Sequence, residues 1–356
     1  MLSLILCGTC VEGLEPPEPT ALIDVKGGPF LFGSTEPCFN ENQQVIDCGG
    51  NKYGMPKTYP TVVVDLGDFA IDEHEVTNIQ YEYCVANGAC PEPDFNNTIG
   101  IEHYFLESAY EDYPVVNVTP AMAKAYCAFV GRRLPTEAEW ERAAAGGKAT
   151  ALGDEALKRK YPFMGGSDNI KDCVGRSIAH AYCTGLTRPA RVMSSSDDWV
   201  DEPGGRIWDL TGNVAELVAG FYKEELTCKE SLFDDGGACV DCFTCNSSCI
   251  STCYTTCAKC DNDPDCFKQC VIPPDTSTGD PGFPGIPRCI SYGATVLSPD
   301  KLDVDSGNEW LARGGSFNDG QNLTCRALST DRNSQHRRGP TGKSDPVVGF
   351  RCAVDR

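Results

Sequence analysis

Histidine is scarce in this 356-residue chain. Its four copies, His74, His103, His180 and His336, are scattered without the paired spacing that metal ligands need. There is no glycine-rich phosphate loop and no Gly-x-Ser-x-Gly elbow, so the common sequence signals for nucleotide binding and serine hydrolysis are missing. Basic residues are in deficit: 30 Lys and Arg face 51 Asp and Glu, a net charge of −21. Gripping a nucleic-acid backbone needs clustered cations, so the balance argues against that partner. An acidic surface confers solubility and attracts cations. No stretch is long and apolar enough to span a bilayer as a helix. With 41% hydrophobic and 23% charged residues, the composition is that of a folded chain, one large domain or two ordinary ones.

Cysteine is in excess, with 22 copies. In a reducing compartment so many thiols would be open to metal capture and oxidation. In an oxidising one they become cross-links, each contributing ~2–4 kcal/mol mainly by restricting the unfolded chain. The chain opens with Met1-Leu2-Ser3-Leu4-Ile5-Leu6-Cys7-Gly8-Thr9-Cys10, an apolar stub similar to the end of a signal peptide, although the basic leading region is missing. Residues 1–10 are therefore expected to be a signal remnant. The protein is expected to work outside the cytoplasm: secreted, periplasmic or on the cell surface. Loss of Cys7 and Cys10 with the signal, or a lipid anchor on Cys10, leaves an even set of 20 cysteines for pairing.

Residues 11–28 are acidic and proline-rich and read as a tether. Strand-like runs follow at Thr61–Asp65 and Asp68–Glu73. Thr77 with Gln80 forms a capping-box pattern that starts a helix through Tyr81 and Cys84. Thr119-Pro120 starts another, with Met122, Ala125, Tyr126, Phe129 and Val130 on one face and Gly131 at its end. Thr136 and Glu139 cap a third, which turns Trp140, Ala143 and Ala144 to the core and closes at Gly146-Gly147. Residues 228–289 differ from the rest. They hold eleven cysteines (228, 239, 242, 245, 249, 253, 257, 260, 266, 270 and 289) and few aliphatic side chains, so cross-links must supply their order. One-turn spacing suggests Cys253 paired with Cys270 and Cys257 with Cys266 on two packed helices. A zinc or iron–sulfur site built on Cys239-x-x-Cys242-x-x-Cys245 or Cys257-x-x-Cys260 competes with that reading.

Six ordered stretches resemble the sulfatase-modifying-factor, or formylglycine-generating enzyme, family. They are Phe69-Ala70-Ile71-Asp72-Glu73-His74-Glu75-Val76-Thr77-Asn78, Tyr113-Pro114-Val115-Val116-Asn117-Val118-Thr119, and the most specific, Gly131-Arg132-Arg133-Leu134-Pro135-Thr136-Glu137-Ala138-Glu139-Trp140-Glu141. Trp208-Asp209-Leu210-Thr211-Gly212-Asn213-Val214-Ala215-Glu216, Arg313-Gly314-Gly315-Ser316-Phe317 and Gly349-Phe350-Arg351-Cys352 complete the order. The resemblance implies an α+β fold similar to a C-type lectin, low in regular secondary structure. It makes residues 29–356 one domain interrupted by the 228–289 insert, which such a fold tolerates because loop closure costs grow slowly with length.

The resemblance implies a chemistry that needs two cysteines after Gly-Gly-Ser, whose thiolates hold a Cu(I) ion that activates oxygen to oxidise a substrate cysteine to formylglycine. The resemblance puts those positions at Asp319 and Thr324, neither of which replaces a thiolate; Cys325 lies one residue beyond the second. Two tryptophans usual in the family are Ala215 and Leu217 here, and an asparagine is Val347. A family calcium site maps onto Asp209, Gly212, Val214 and Glu216, two carboxylates with backbone oxygens between them. A second calcium site, expected near 176–200, has no alignable ligands. One family disulfide transfers to Cys127 and Cys352; another would need a cysteine at Ala144, which leaves Cys325 free or paired elsewhere.

The iron oxygenases on this fold need a His-rich partner domain, for which these 356 residues carry no pattern, and His74 with Glu75 reads as structural. Arg332, Arg337 and Arg338 read as a solvated loop rather than an anion site. The expectation is an exported, calcium-bound binding or scaffold protein without the oxidase pair, its ligand a protein or peptide. Two alternatives stay open: a copper-dependent formylglycine-generating oxidase working through Cys325, and a structural surface protein acting through its Cys-rich insert.

Overall fold

Three capping boxes start the three longer helices: α1 (Asn78–Ala86), α2 (Pro120–Phe129) and α3 (Glu137–Ala145). In α3 the Thr136 hydroxyl accepts the Glu139 N–H at 3.1 Å while Glu139 accepts the Thr136 N–H at 2.7 Å. Two of the donors that a helix start would otherwise leave without a partner are thereby satisfied. The helices lie where their sequence pattern put them, with one exception. Met122 and Tyr126 are buried on α2, but Phe129 is 36% exposed and rests against the Tyr83 ring of α1, at 6.0 Å between centroids. At the last helical residue its side chain stands at the edge of the core rather than within it.

The computed structural model describes residues 16–32, 62–146, 158–167, 170–222, 309–319, 338–340 and 343–356. The strands are β1 (Leu22–Val25), β2 (Gly28–Phe32), β3 (Val62–Leu66), β4 (Phe69–Asp72), β5 (Trp199–Glu202), β6 (Gly205–Trp208), β7 (Ala215–Tyr222), β8 (Glu309–Arg313), β9 (Arg338–Pro340), β10 (Val348–Phe350) and β11 (Ala353–Asp355). A four-residue helix, α4 (Ala181–Thr184), lies between α3 and β5. Strand β4 takes β1 on one side and β11 on the other, both antiparallel. The second sheet runs β10-β7-β8-β9, with β10 parallel to β7, while β2–β3 and β5–β6 are two-stranded.

The end of the stretch read as a tether is thus a strand. Ile23 and Val25 alternate inward from β1, and the register Leu22 to Asp72 fixes it to β4. The prolines that suggested a linker stop before it. The cysteine pairings suggested for residues 228–289, and the arginines at 332 and 337, lie outside the described residues.

Among the described residues two apolar clusters fill the interior. One gathers α1, α2 and the 101–118 segment around Phe350; the other packs β1, β4 and α3 around Trp140. Between them run β7 and the loop before it, which place buried polar groups at the junction.

Candidate functional site

The 209–216 loop and the 314–319 turn clasp each other through their backbones. Gly212 N–H donates to the Gly314 carbonyl at 2.8 Å, and Phe317 N–H to the Asn213 carbonyl at 2.8 Å. So close an approach needs glycine. At Gly212 (φ +83°) a Cβ would stand 2.5 Å from the Ala179 carbonyl oxygen, and at Gly314 (φ +91°) 3.0 Å from the Trp140 ring. Asp209 and Asn213 also hold left-handed backbone angles, φ 57° and 48°, in the part of the map where Asp and Asn are tolerated best among side-chain residues.

Behind this clasp lies a buried group of charges. Arg351 reaches Glu216 with two parallel bonds, Nε to Oε2 and Nη2 to Oε1, both 2.6 Å. Trp140 Nε1–H adds a third bond to Oε2 at 2.7 Å. The guanidinium also donates to the carbonyls of Trp208 (2.8 Å) and Asp72 (3.1 Å). Burial works against its charge, but Glu216 holds it firmly protonated. Three more buried carboxyls adjoin. Burial lifts Asp209 to about 7, although the Met193 N–H bond at 2.6 Å and Arg351 oppose it. Glu75 and Asp198 are pushed well above the carboxylate range by burial first and by Asp209 next. Glu75 faces Asn213 Nδ2 at 3.4 Å and the Val214 N–H at 3.5 Å. One guanidinium thus serves four carboxyls, and protons hold the rest of the balance.

These shifts set a direction for pH. Raised carboxyl pKa values mean that the native state binds more protons than the unfolded chain, so stability falls as pH rises. The contribution is complete below about pH 4 and is lost as pH rises through about 7 for Asp209 and higher for Glu75 and Asp198. Thermal unfolding followed from pH 5 to 8.5 is expected to show a falling Tm; a flat or rising Tm would contradict the buried-proton account.

Of the four positions mapped to calcium, the Asp209 and Glu216 carboxyls lie close enough to interact, and protein donors engage both. Both Glu216 oxygens are taken by Arg351 and Trp140, and one Asp209 oxygen by Met193. Calcium takes six to eight oxygen ligands, so an ion here would compete with these donors. Among the described residues no group of three or more His, Cys, Asp or Glu side chains is placed to hold a metal ion. These contacts give the expected calcium site no specific support; in them Glu216 forms an internal ion pair with Arg351.

At the position that the resemblance assigns to the first family thiol, Asp319 is 2% exposed and closes a turn. Its Oδ2 accepts the Ser316 N–H at 2.7 Å and the Ser316 hydroxyl at 3.2 Å, while Asp319 N–H donates to the Ser316 carbonyl at 3.1 Å. Asp319→Ala removes these acceptors and should cost about 1–3 kcal/mol in urea unfolding, with Asp319→Asn costing less. Thr324 and Cys325 lie outside the described residues. Ala215 and Leu217, where the family carries tryptophan, are buried in β7 opposite Val348 and Phe350, and Val347 accepts the Ala215 N–H. These substitutions are absorbed into core packing.

Cys127 and Cys352 are bonded, with Cα atoms 5.6 Å apart. Two further bridges, Cys84–Cys90 and Cys173–Cys183, had no counterpart in the sequence reading. Their signal was short spacing: Cys84 and Cys90 bracket the end of α1, and Cys173 and Cys183 pin the segment whose Ala179 carbonyl receives the Asn213 N–H. His74 is structural, its Nδ1–H donating to the Glu75 carbonyl at 2.7 Å. Glu75, Asp198 and Arg351 are the site members that sequence reasoning missed. The first and last stood inside quoted motifs; nothing local marks Asp198.

The chain belongs to the sulfatase-modifying-factor family: the family model described as "sulfatase-modifying factor enzyme 1-like domain" matches residues 11–356. Among curated proteins it is similar to serine/threonine-protein kinase pkn1 of Chlamydia caviae, 33% identical over 62% of this chain and 32% of that protein. Hercynine oxygenase of Mycolicibacterium thermoresistibile is 29% identical over 49% of this chain and 42% of that one. The formylglycine-generating enzyme of Bos taurus is 25% identical over 40% and 44%. The matches therefore span less than half the length of these relatives. Among solved structures, PvdO from Pseudomonas aeruginosa aligns over 94% of both chains at 18% identity and a TM-score of 0.49.

Proposed function

We propose that this chain is an exported binding or scaffold protein that keeps the family scaffold and has given up its thiol chemistry, with a protein or peptide as ligand. The observation that carries the reading is Asp319. Where the resemblance calls for a thiolate, a buried carboxylate is spent on closing the Ser316 turn. A hard oxygen donor already engaged by two hydrogen-bond donors is a poor ligand for a soft Cu(I) ion. Three disulfides among the described residues support export to an oxidising compartment. None of the described helices is long and apolar enough to cross a membrane.

The test is direct. The purified chain is loaded with Cu(I) and offered a Cys-x-Pro-x-Arg peptide in air, and aldehyde is sought by hydrazide capture and mass spectrometry. No aldehyde is expected. Aldehyde formation that disappears in Cys325→Ser would overturn the reading in favour of the oxidase.

A further inference from the structure

Among the described residues the exposed apolar side chains are not spread evenly. Of the seven large hydrophobic residues exposed among those described, three belong to one loop: Phe95 (62%), Ile99 (37%) and Leu106 (53%). A fourth, Leu186, lies one residue from Thr187, whose carbonyl oxygen would be 3.6 Å from a Cβ on Gly100 of the same loop. Leu106 moreover holds φ at 66°. A solvent-facing leucine gains nothing from the left-handed region, where its side chain is strained.

The loop is held in shape from beneath. The buried Asn117 donates its side-chain amide to the Phe95 and Asn97 carbonyls, and the Thr98 hydroxyl donates to the Pro346 carbonyl. Asn96 accepts the Tyr104 N–H on both its backbone and its side-chain oxygen, at 3.2 and 3.1 Å. The apolar side chains are therefore presented by a braced backbone, which lowers the ordering cost of a docking event.

The loop itself carries no Lys or Arg side chain. No Lys or Arg occurs between Lys57 and Lys124. Glu92, Asp94, Glu102, Glu107 and Glu111 are exposed and make no ion pair among the described residues, while Asp112 is paired with Arg191. Arg188, on the adjoining segment, pairs with none of them.

From the braced loop, its three exposed hydrophobic side chains and the unpaired carboxylates beside them, we infer that residues 92–111 form a docking surface for a cationic peptide segment bearing aliphatic side chains. Apolar contact supplies the anchor, and the acidic rim steers and selects the partner. The inference rests on the reading of the chain as a binding protein and names where it binds and what.

The test uses the full chain and labelled synthetic peptides of equal length: alternating Leu/Lys, Ser/Lys of the same charge, and Leu/Glu. Fluorescence anisotropy is expected to give tighter binding of Leu/Lys than of either control, by about tenfold or more. The double variant Phe95→Ser, Leu106→Asn should lose that preference, with Tm unchanged or raised because asparagine suits the left-handed angle. Val174→Ser, which truncates a residue of similar exposure on another segment, should bind as the wild type does. Failure to bind Leu/Lys, equal affinity for Ser/Lys, an unaffected double variant, or equal weakening by Val174→Ser would each overturn the surface. Aldehyde formation in the copper assay would overturn the functional reading and leave the surface standing, so the two can fail separately.

Discussion

Replacing Arg351 with methionine is expected to destabilise the protein by about 3–5 kcal/mol, near the limit of what a domain survives. The size follows from what is left behind. Glu216 would keep only the Trp140 N–H, and Asp209, Glu75 and Asp198 would lose the one guanidinium they share. A buried carboxylate stripped of its counter-charge either protonates or draws in water, and both costs appear in unfolding. Two companion variants separate charge from geometry. Arg351→Lys keeps the charge but cannot form two parallel bonds to Glu216 while reaching the Trp208 and Asp72 carbonyls, so roughly half the loss should remain. Arg351→Met combined with Glu216→Gln should cost clearly less than the two single losses together, because the uncompensated charge leaves with its partner. Urea unfolding at pH 6 and pH 8 measures all of these, and the penalty for Arg351→Met should grow with pH as more of the carboxyls ionise. A loss under about 1 kcal/mol would mean that Arg351 is not what balances the cluster. In that event, stabilisation of the wild type by millimolar calcium at pH 8 would show that a bound cation does.

The parts of this molecule that were legible in its sequence are those written in local code. Thr77 with Gln80 and Thr136 with Glu139 announce helix starts because both partners of each bond lie within one turn. The six ordered motifs were legible for a related reason: each is a continuous stretch. Strand β1 was hidden because its four residues carry too weak a pattern to outweigh the prolines before them; pairing with β4, nearly fifty residues later, is what makes it a strand. The charge cluster was hidden more deeply. Glu75, Asp198, Glu216 and Arg351 come from four distant segments, and only the completed fold brings them to one place. Asp319 sits between these cases. That it replaces a thiol could be read from the order of residues, but that it closes the Ser316 turn could not, because no rule of spacing distinguishes a turn-closing aspartate from a solvated one.

The bridge between Cys127 and Cys352 is expected to be worth more than any other among the described residues. It spans 225 residues, against 6 for Cys84–Cys90. If a cross-link acts by shrinking the unfolded ensemble, its contribution grows as 1.5RT times the logarithm of loop length, so the long bridge should exceed the short one by about 3 kcal/mol and reach about 5 kcal/mol in all. The Cys173–Cys183 bridge lies within the long loop but shortens it by only ten residues, which the logarithm scarcely registers. The native state should outlast the loss, because the same segments are tied beside the bridge: Asp72 pairs with Arg132 just beyond α2 and also accepts the Cys352 N–H at 2.7 Å. Cys127→Ala with Cys352→Ala should therefore give a folded protein with near-native circular dichroism and a much lower urea midpoint, whereas Cys84→Ala with Cys90→Ala should move the midpoint far less. Both pairs are buried, so side-chain packing losses are similar and largely cancel in the comparison. Equal losses from the two pairs would show that the long bridge stabilises through contacts in the folded core rather than through the loop it closes.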